Sequence, residues 1–487
     1  MKKNLIPASV FICGACVMIL QLVGSRILAP FFGTSTAIWA SLIGIMLGAM
    51  AIGYKAGGKL ADKNPNYGML SLIIGAAAAS VALVGMLRND VFSLFIAADM
   101  QPTQSAFTAI LLLFAIPSML LAMVSPYAMK LSIDSLETSG STAGNVYAFG
   151  TFGSITGTFL AGFVLIPLFA NATIIAVISV TLLVLSLLLS VQGYRVLRIT
   201  IIVLVLLSVF VRSGLSQVFA GVIAEYDTRY STILIIDSGN VRTLRGGVVN
   251  QSRMLLDSDE LIPKYIRMGY LYKVFNPNAT RMMMLGGAGY TFPQHFLRNH
   301  PNKYIDVVEI DPQVTQIARE YFGLTDNPRM NIFHEDGRMF LNRREKRYDV
   351  IFGNAFGSAL PPFQLVTREA KQAIYDSLED DGVYIALVLG GLEGSVARYF
   401  NAFYNTLAEV FSQILVFQAS DVERAPGEFQ EIMLVALKQP IDVEAAMVPW
   451  RDDSFIGPML ERQWNHVPNN ARILTDERAP IESLMWH

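Results

Sequence analysis

Four short stretches place backbone amides and carboxylates at the spacing a nucleoside needs. Gly286, Gly287 and Gly289 directly follow the apolar run Arg281-Met-Met-Met-Leu285, and without side chains they let a ligand approach the backbone closely. Glu309 ends the next apolar run about twenty residues later, where a carboxylate can accept both hydroxyls of a ribose. Glu335-Asp336-Gly337 follows a third run. There Asp336, with Gly337 beside it, can receive the amino group of an adenine or cap the next helix. Tyr348–Gly353 then opens into Asn354-Ala-Phe-Gly357, which places side chains where a reacting group would lie. Each stretch alone is a common turn. Four together, each at the end of a strand, specify a nucleoside pocket.

The elements that must position them alternate in type. Strands are predicted at 281–285, 304–309, 330–333, 348–353 and 383–389, with helices at 291–300, 312–322, 337–343 and 367–379 between them. Asp311 before Pro312 reads as a helix cap. Such alternation builds a mostly parallel sheet with helices on both faces, and ligands bind outside the carboxyl ends of its strands. Ahead of it, Tyr230-Ser-Thr-Ile-Leu-Ile-Ile-Asp237 alternates as a strand and leads to a Gly246-Gly247 turn, a small β element.

The first two hundred residues belong to another solvent. About 20 apolar residues cross a bilayer, and such segments are expected near 5–29, 36–56, 67–87, 104–128, 142–168, 171–191 and 196–212. The expected organisation is therefore a transmembrane helical domain at 1–212, a linker and small β element at 213–280, and a nucleoside-binding α/β domain at 281–487. Small residues recur four apart at Gly44/Gly48, Gly53/Gly57 and Gly153/Gly157, spacing that lets helices pack closely. Arg26 and Gln21 are polar in the first span, and Arg26 lies near enough to its end to snorkel.

Charge divides the same way. Residues 1–212 carry 11 Lys/Arg against 5 Asp/Glu, and residues 213–487 carry 26 against 34, so the halves are net +6 and −8. The acidic half argues against nucleic acid and favours a cationic or neutral substrate. Cys13 and Cys16, the two cysteines, both lie in the first span, and no histidine has ligand-like spacing, so neither a disulfide framework nor a metal site is expected.

Met284-Leu-Gly-Gly-Ala-Gly-Tyr-Thr291, Val307-Val-Glu-Ile-Asp-Pro312, Glu335-Asp-Gly-Arg338, Tyr348-Asp-Val-Ile351 and Leu474-Thr-Asp-Glu-Arg-Ala-Pro-Ile-Glu482 resemble the spermidine synthase (polyamine aminopropyltransferase) family. The resemblance runs along nearly the whole chain and is to the membrane-fused branch, in which such a domain follows a bundle of transmembrane helices. It implies a class I methyltransferase-like Rossmann fold, a homodimer, and decarboxylated S-adenosylmethionine as donor substrate. Aminopropyl transfer to putrescine would release methylthioadenosine. Glu309 would bind ribose and Asp336 adenine, with Gly286, Gly287 and Gly289 beside the sulfonium chain.

This sequence departs from that pattern where the chemistry lies. The family's Asp within the glycine loop, which holds the donor's amine, is Gly289 here, and its two Asp residues after the fourth strand are Asn354 and Gly357. An amide is no general base and glycine has no side chain. Replacements are sought in Leu255-Leu-Asp-Ser-Asp-Glu-Leu261, a segment that lies over the pocket in the family, at Asp257, Asp259 and Glu260. Gln251, Tyr230 and Tyr265 are further candidates.

Three functions compete: an aminopropyltransferase acting on putrescine or another amine, an enzyme that methylates with or cleaves intact S-adenosylmethionine, and a non-catalytic nucleoside sensor coupled to the bundle. The implied setting is the bacterial inner membrane. Basic loop residues place the N-terminus inside, and seven crossings would then put the α/β domain outside. The supply of adenosylated donor argues for the cytoplasmic face, which is the side expected here.

Overall fold

Apolar segments of bilayer length become helices. In the computed structural model, six helices among the described residues are long and apolar enough to cross a membrane. The structure describes residues 5–33, 35–63, 65–97, 102–133, 135, 139–189, 195–210, 219–343, 347–355, 361–465 and 471–485. The chain divides into two units, Met1–Thr232 and Ile233–His487.

The first unit contains α1 (Leu5–Phe32), α2 (Thr36–Lys63), α3 (Tyr67–Ala97), α4 (Pro102–Ser132), α5 (Ser139–Leu160, prolonged by a π turn to Leu168), α6 (Asn171–Leu189) and α7 (Arg195–Phe210). The seventh expected span is the short one. Its 16 residues would reach about 24 Å, less than the ~30 Å of bilayer hydrocarbon.

Two of the three glycine pairs seat helices against one another. A Cβ on Gly57 would stand 2.5 Å from the Met123 carbonyl oxygen, and Gly53 meets Met119 in the same way, so α2 lies backbone to backbone on α4. Gly153 and Gly157 do the same for α5 on α1, against the carbonyls of Phe11 and Ala15. Gly44 and Gly48 have nothing within 4 Å and make no such contact. Serines join α3 to α6: Ser71 Oγ donates to Ser186 O (2.8 Å) and Ser179 Oγ to Ala78 O (2.7 Å). Without a hydrophobic drive between helices in lipid, close backbones and hydrogen bonds of this kind supply the attraction. Arg26 donates to the carbonyls of Thr228 and Arg229, just after β1 (Val222–Asp227).

The second unit opens with the antiparallel strands β2 (Thr232–Ser238), β3 (Val241–Gly246), β4 (Val249–Leu255) and β5 (Leu261–Ile262), followed by the single-turn helix α8 (Lys264–Arg267). Next come β6 (Arg281–Leu285), α9 (Thr291–Asn299), β7 (Tyr304–Val308), α10 (Pro312–Tyr321), β8 (Met330–Phe333), α11 (Gly337–Arg343) and β9 (Tyr348–Gly353). After them lie α12 (Arg368–Asp376), β10 (Leu378–Gly390), α13 (Arg398–Ala408), β11 (Gln413–Gln418), β12 (Gln430–Leu437) and β13 (Gln463–Trp464).

The eight-stranded sheet runs β13-β11-β12-β10-β9-β6-β7-β8. Strands β8 to β10 pair in parallel, and β10, β12, β11 and β13 pair antiparallel. Its parallel part is the one expected from the strand–helix alternation, and the whole is the class I methyltransferase-like fold that the resemblance implies. Central β6 is buried from Met282 to Leu285, as a parallel strand covered on both faces must be. Crossovers leave in opposite directions from β6 and β9, and the pair forms the switch point that opens a crevice at the strands' carboxyl ends.

Candidate active site

At that crevice β6 passes into Gly286, whose φ of +90° suits glycine and whose Cβ, if present, would stand 2.6 Å from the Asn354 carbonyl oxygen. Ala288 and Tyr290 also take positive φ, 44° and 53°. Non-glycine residues adopt this conformation only when their surroundings impose it. Glu309 is one such constraint. Its Oε2 accepts from the Gly287 N–H (2.9 Å) and the Ala288 N–H (3.1 Å), and its Oε1 from the Asp311 N–H (3.0 Å). Burial pushes the Glu309 carboxyl above its usual range, and the three amides oppose that shift by favouring the anion. Tyr290 is the other constraint: its buried ring underlies Gly287 and its hydroxyl bonds Thr315 Oγ1 at 2.7 Å.

Asp336 takes up the capping role, one of its two sequence readings. Its Oδ1 accepts from the Arg338 N–H (2.8 Å) and the Met339 N–H (3.2 Å) at the start of α11, while its Oδ2 accepts from Gln364 Nε2 (3.2 Å). Gly337 opens the helix beside Leu285, its Cβ position 3.2 Å from Leu285 Cδ2. The segment Leu474–Glu482 ties this corner down. Asp476 accepts from Arg338 Nη2 (2.8 Å) and Thr367 Oγ1 (2.6 Å), and its N–H donates to Glu369.

Asn354 and Tyr265 come together in a pocket that is also lined by Gln251, Ser252, Arg253 and Thr291. Asn354 hydrogen-bonds the buried Tyr265 hydroxyl. Burial, then the charge of Glu431, pushes that hydroxyl up to about 12, and the Asn354 bond opposes them. A phenol in this state remains a donor at neutral pH. At Gly289 a Cβ would lie 2.6 Å from Ser252 Oγ and 2.9 Å from Phe322 Cδ1, so the loop has no space for a carboxylate there.

The 257–260 segment is placed differently. Asp257 accepts from Asn240, Asp259 is exposed with Arg298 3.9 Å away, and Glu260 pairs with Arg267. None of the three lines the described pocket. Tyr230 is exposed and belongs to the first unit, with the Arg229 guanidinium 6.0 Å from its ring. Gly357 lies outside the described residues.

Sequence reasoning missed Arg253, which pairs with Asp421 at 2.7 Å, and Glu431. It also missed Lys371. This buried lysine donates to Leu365 O (3.0 Å) and Tyr384 Oη (3.2 Å), lies 4.2 Å from the Phe403 ring centroid, and is pushed down to about 7 by burial. Its signal was a lysine on the apolar face of α12, between Ala370 and Ile374.

Part of the chain is similar to known proteins. Residues 216–420 match the spermine/spermidine synthase domain. A polyamine aminopropyltransferase of Vibrio vulnificus is 27% identical over 282 residues, covering 54% of this chain and 91% of that protein. One from Clostridium beijerinckii is 29% identical over 170 residues, 34% of this chain and 60% of that protein. Among solved structures, a probable spermidine synthase from Corynebacterium glutamicum superposes with a TM-score of 0.44 at 20% identity, covering 53% of this chain and 97% of that one. The spermidine synthase of Thermotoga maritima gives 0.37 at 21% identity, covering 55% and 84%. The chain thus carries in its C-terminal half a domain of the spermine/spermidine synthase family, behind apolar helices consistent with the membrane-fused branch of that family.

Proposed function

We propose that the C-terminal domain binds decarboxylated S-adenosylmethionine and transfers its aminopropyl group to putrescine or another amine, releasing methylthioadenosine. The observation that carries this reading is the bracing of the glycine loop by Glu309 at the β6–β9 switch point, next to the Tyr265–Asn354 pocket. The names of the relatives, polyamine aminopropyltransferases, support it.

The residues suit such a donor. Glu309, beside the glycine loop, faces a ribose, Asp336 an adenine, and the neutral Ser252 and Thr291 the chain beyond sulfur. Bound there, the sulfonium substrate supplies an electrophilic carbon and a thioether leaving group. The amine nitrogen attacks that carbon, the C–S bond breaks with its electron pair passing to sulfur, and the new ammonium loses a proton to solvent. Asn354 orients the nucleophile: with its amide N–H directed to Tyr265, its carbonyl oxygen can accept an N–H of the attacking amine. Neither residue is a base at neutral pH, so the amine must arrive unprotonated or lose its proton to water.

The absence of an acidic side chain at Gly289 favours a second reading. Without an acid to pair with the donor's amine, a donor retaining its own carboxylate, intact S-adenosylmethionine, is also accommodated. The helical unit would hold the domain at a bacterial inner membrane. Six crossings from a cytoplasmic N-terminus return the chain to the cytoplasm, where the donor is made, and two copies would assemble as a homodimer.

The test is direct. Detergent-purified protein is offered each donor separately, with and without polyamines, and products are followed by mass spectrometry. Methylthioadenosine and an aminopropylated amine from the decarboxylated donor alone support the first reading. Product from intact S-adenosylmethionine supports the second, and nucleoside binding without product supports a sensor.

A further inference from the structure

If the site takes an amine, some group must answer its positive charge, yet no carboxylate lines the described pocket. Its polar lining is Gln251, Ser252, Arg253, Tyr265, Thr291 and Asn354. An ammonium held against that wall without a counter-charge would be poorly bound, because burial of an unpaired ion is costly.

The charges that face Tyr265 come from three places: Glu431 on β12, Arg253 on β4, and Asp421 just beyond β11. Arg253 and Asp421 form an ion pair with each other at 2.7 Å, so their fields largely cancel. Asp421 also accepts from the Lys264 N–H at the start of α8, the helix that carries Tyr265. Ser420, its neighbour in sequence, bonds the Glu431 carboxylate and accepts from the Glu431 N–H at 3.0 Å. Helix α8 packs on β12 itself. The start of the tyrosine's helix and the carboxylate are therefore fixed to one short segment, Ser420–Asp421. Among the described residues no lysine or arginine lies within ion-pair distance of Glu431, whose carboxylate is held by the Ser420 hydroxyl.

We propose that Glu431, acting through Tyr265, is the positioning residue that makes the acceptor subsite favour amines with a second ammonium group, in place of an acid after β9. The inference rests on the aminopropyl-transfer reading, and it assigns a role outside the 216–420 segment that matches the family.

The experiment is calorimetry on the full chain in detergent, with methylthioadenosine titrated first and putrescine second. In the wild type, putrescine binds at least about tenfold more tightly than 4-amino-1-butanol, which lacks the second charge, and added salt narrows the gap. Glu431→Gln weakens putrescine about tenfold and leaves 4-amino-1-butanol and methylthioadenosine unchanged, and Glu431→Asp recovers part of the loss. Equal wild-type affinity for the two amines overturns the proposal even if no variant folds, as does wild-type putrescine affinity in Glu431→Gln. Normal methylthioadenosine binding with no amine binding overturns it while sparing the nucleoside site. Failure to bind methylthioadenosine removes the nucleoside reading, and this inference with it.

Discussion

The Asn354 side chain is hydrogen-bonded to the Tyr265 hydroxyl, joining the carboxyl end of β9 to helix α8 across the pocket. A carboxylate at 354 would accept from the same phenol and stand beside the amine as a base. Asn354→Asp is therefore expected to raise turnover with putrescine by about tenfold or more, the lower end of what a positioned base contributes. An unchanged rate constant would show that the amine already sheds its proton by another route.

Glu309→Gln replaces an acceptor of three backbone N–H bonds by a group with one carbonyl oxygen and an NH2 that faces other donors. Nucleoside affinity should weaken by roughly 1–3 kcal/mol. Titration of methylthioadenosine into the variant checks this, and unchanged affinity would remove Glu309 from the site.

Gly289→Asp restores the family's residue to a position where its Cβ would meet Ser252 Oγ at 2.6 Å and Phe322 at 2.9 Å. The expected result is a loss of about 1–3 kcal/mol in stability rather than a gain in donor binding. A variant as stable as the wild type in thermal unfolding would mean that the loop yields easily.

Lys371 carries the clearest pH signature. Its folded pKa of about 7 lies below that of an unfolded lysine, so between these values the unfolded chain binds the extra proton. Stability should rise as pH rises from about 7 toward 10, by at most about 1.4 kcal/mol per unit. Lys371→Met should flatten that slope. Unfolding midpoints recorded across the range for both proteins decide the matter, and parallel curves would assign the slope elsewhere.

In the helical unit, Gly57→Leu and Gly153→Leu should disrupt the α2–α4 and α5–α1 contacts and lower the yield of folded protein. Gly48→Leu, with nothing within 4 Å of its Cβ position, should be tolerated. Detergent size-exclusion profiles of the three variants make the comparison.

Strand and helix order in the α/β domain was legible in sequence because each element carries its own period and its own punctuation. Pro312 and the capping Asp311 mark α10, and the methionine run marks β6. Asn354 was singled out by its place after β9. Glu431, Arg253 and Lys371 were not legible, since their importance lies in contacts between segments far apart in the chain, which no local pattern records. Gly44/Gly48 shared the spacing of the packed pairs but not their environment, because spacing fixes a helix face and only the fold decides what meets it.

Three amide protons, on Gly287, Ala288 and Asp311, are engaged by Glu309. For a nucleoside bound as proposed, the loop would be a mould rather than a hinge, its ordering part of folding instead of part of binding. Those protons should exchange slowly with deuterium in the empty protein, and filling the site should slow them little further.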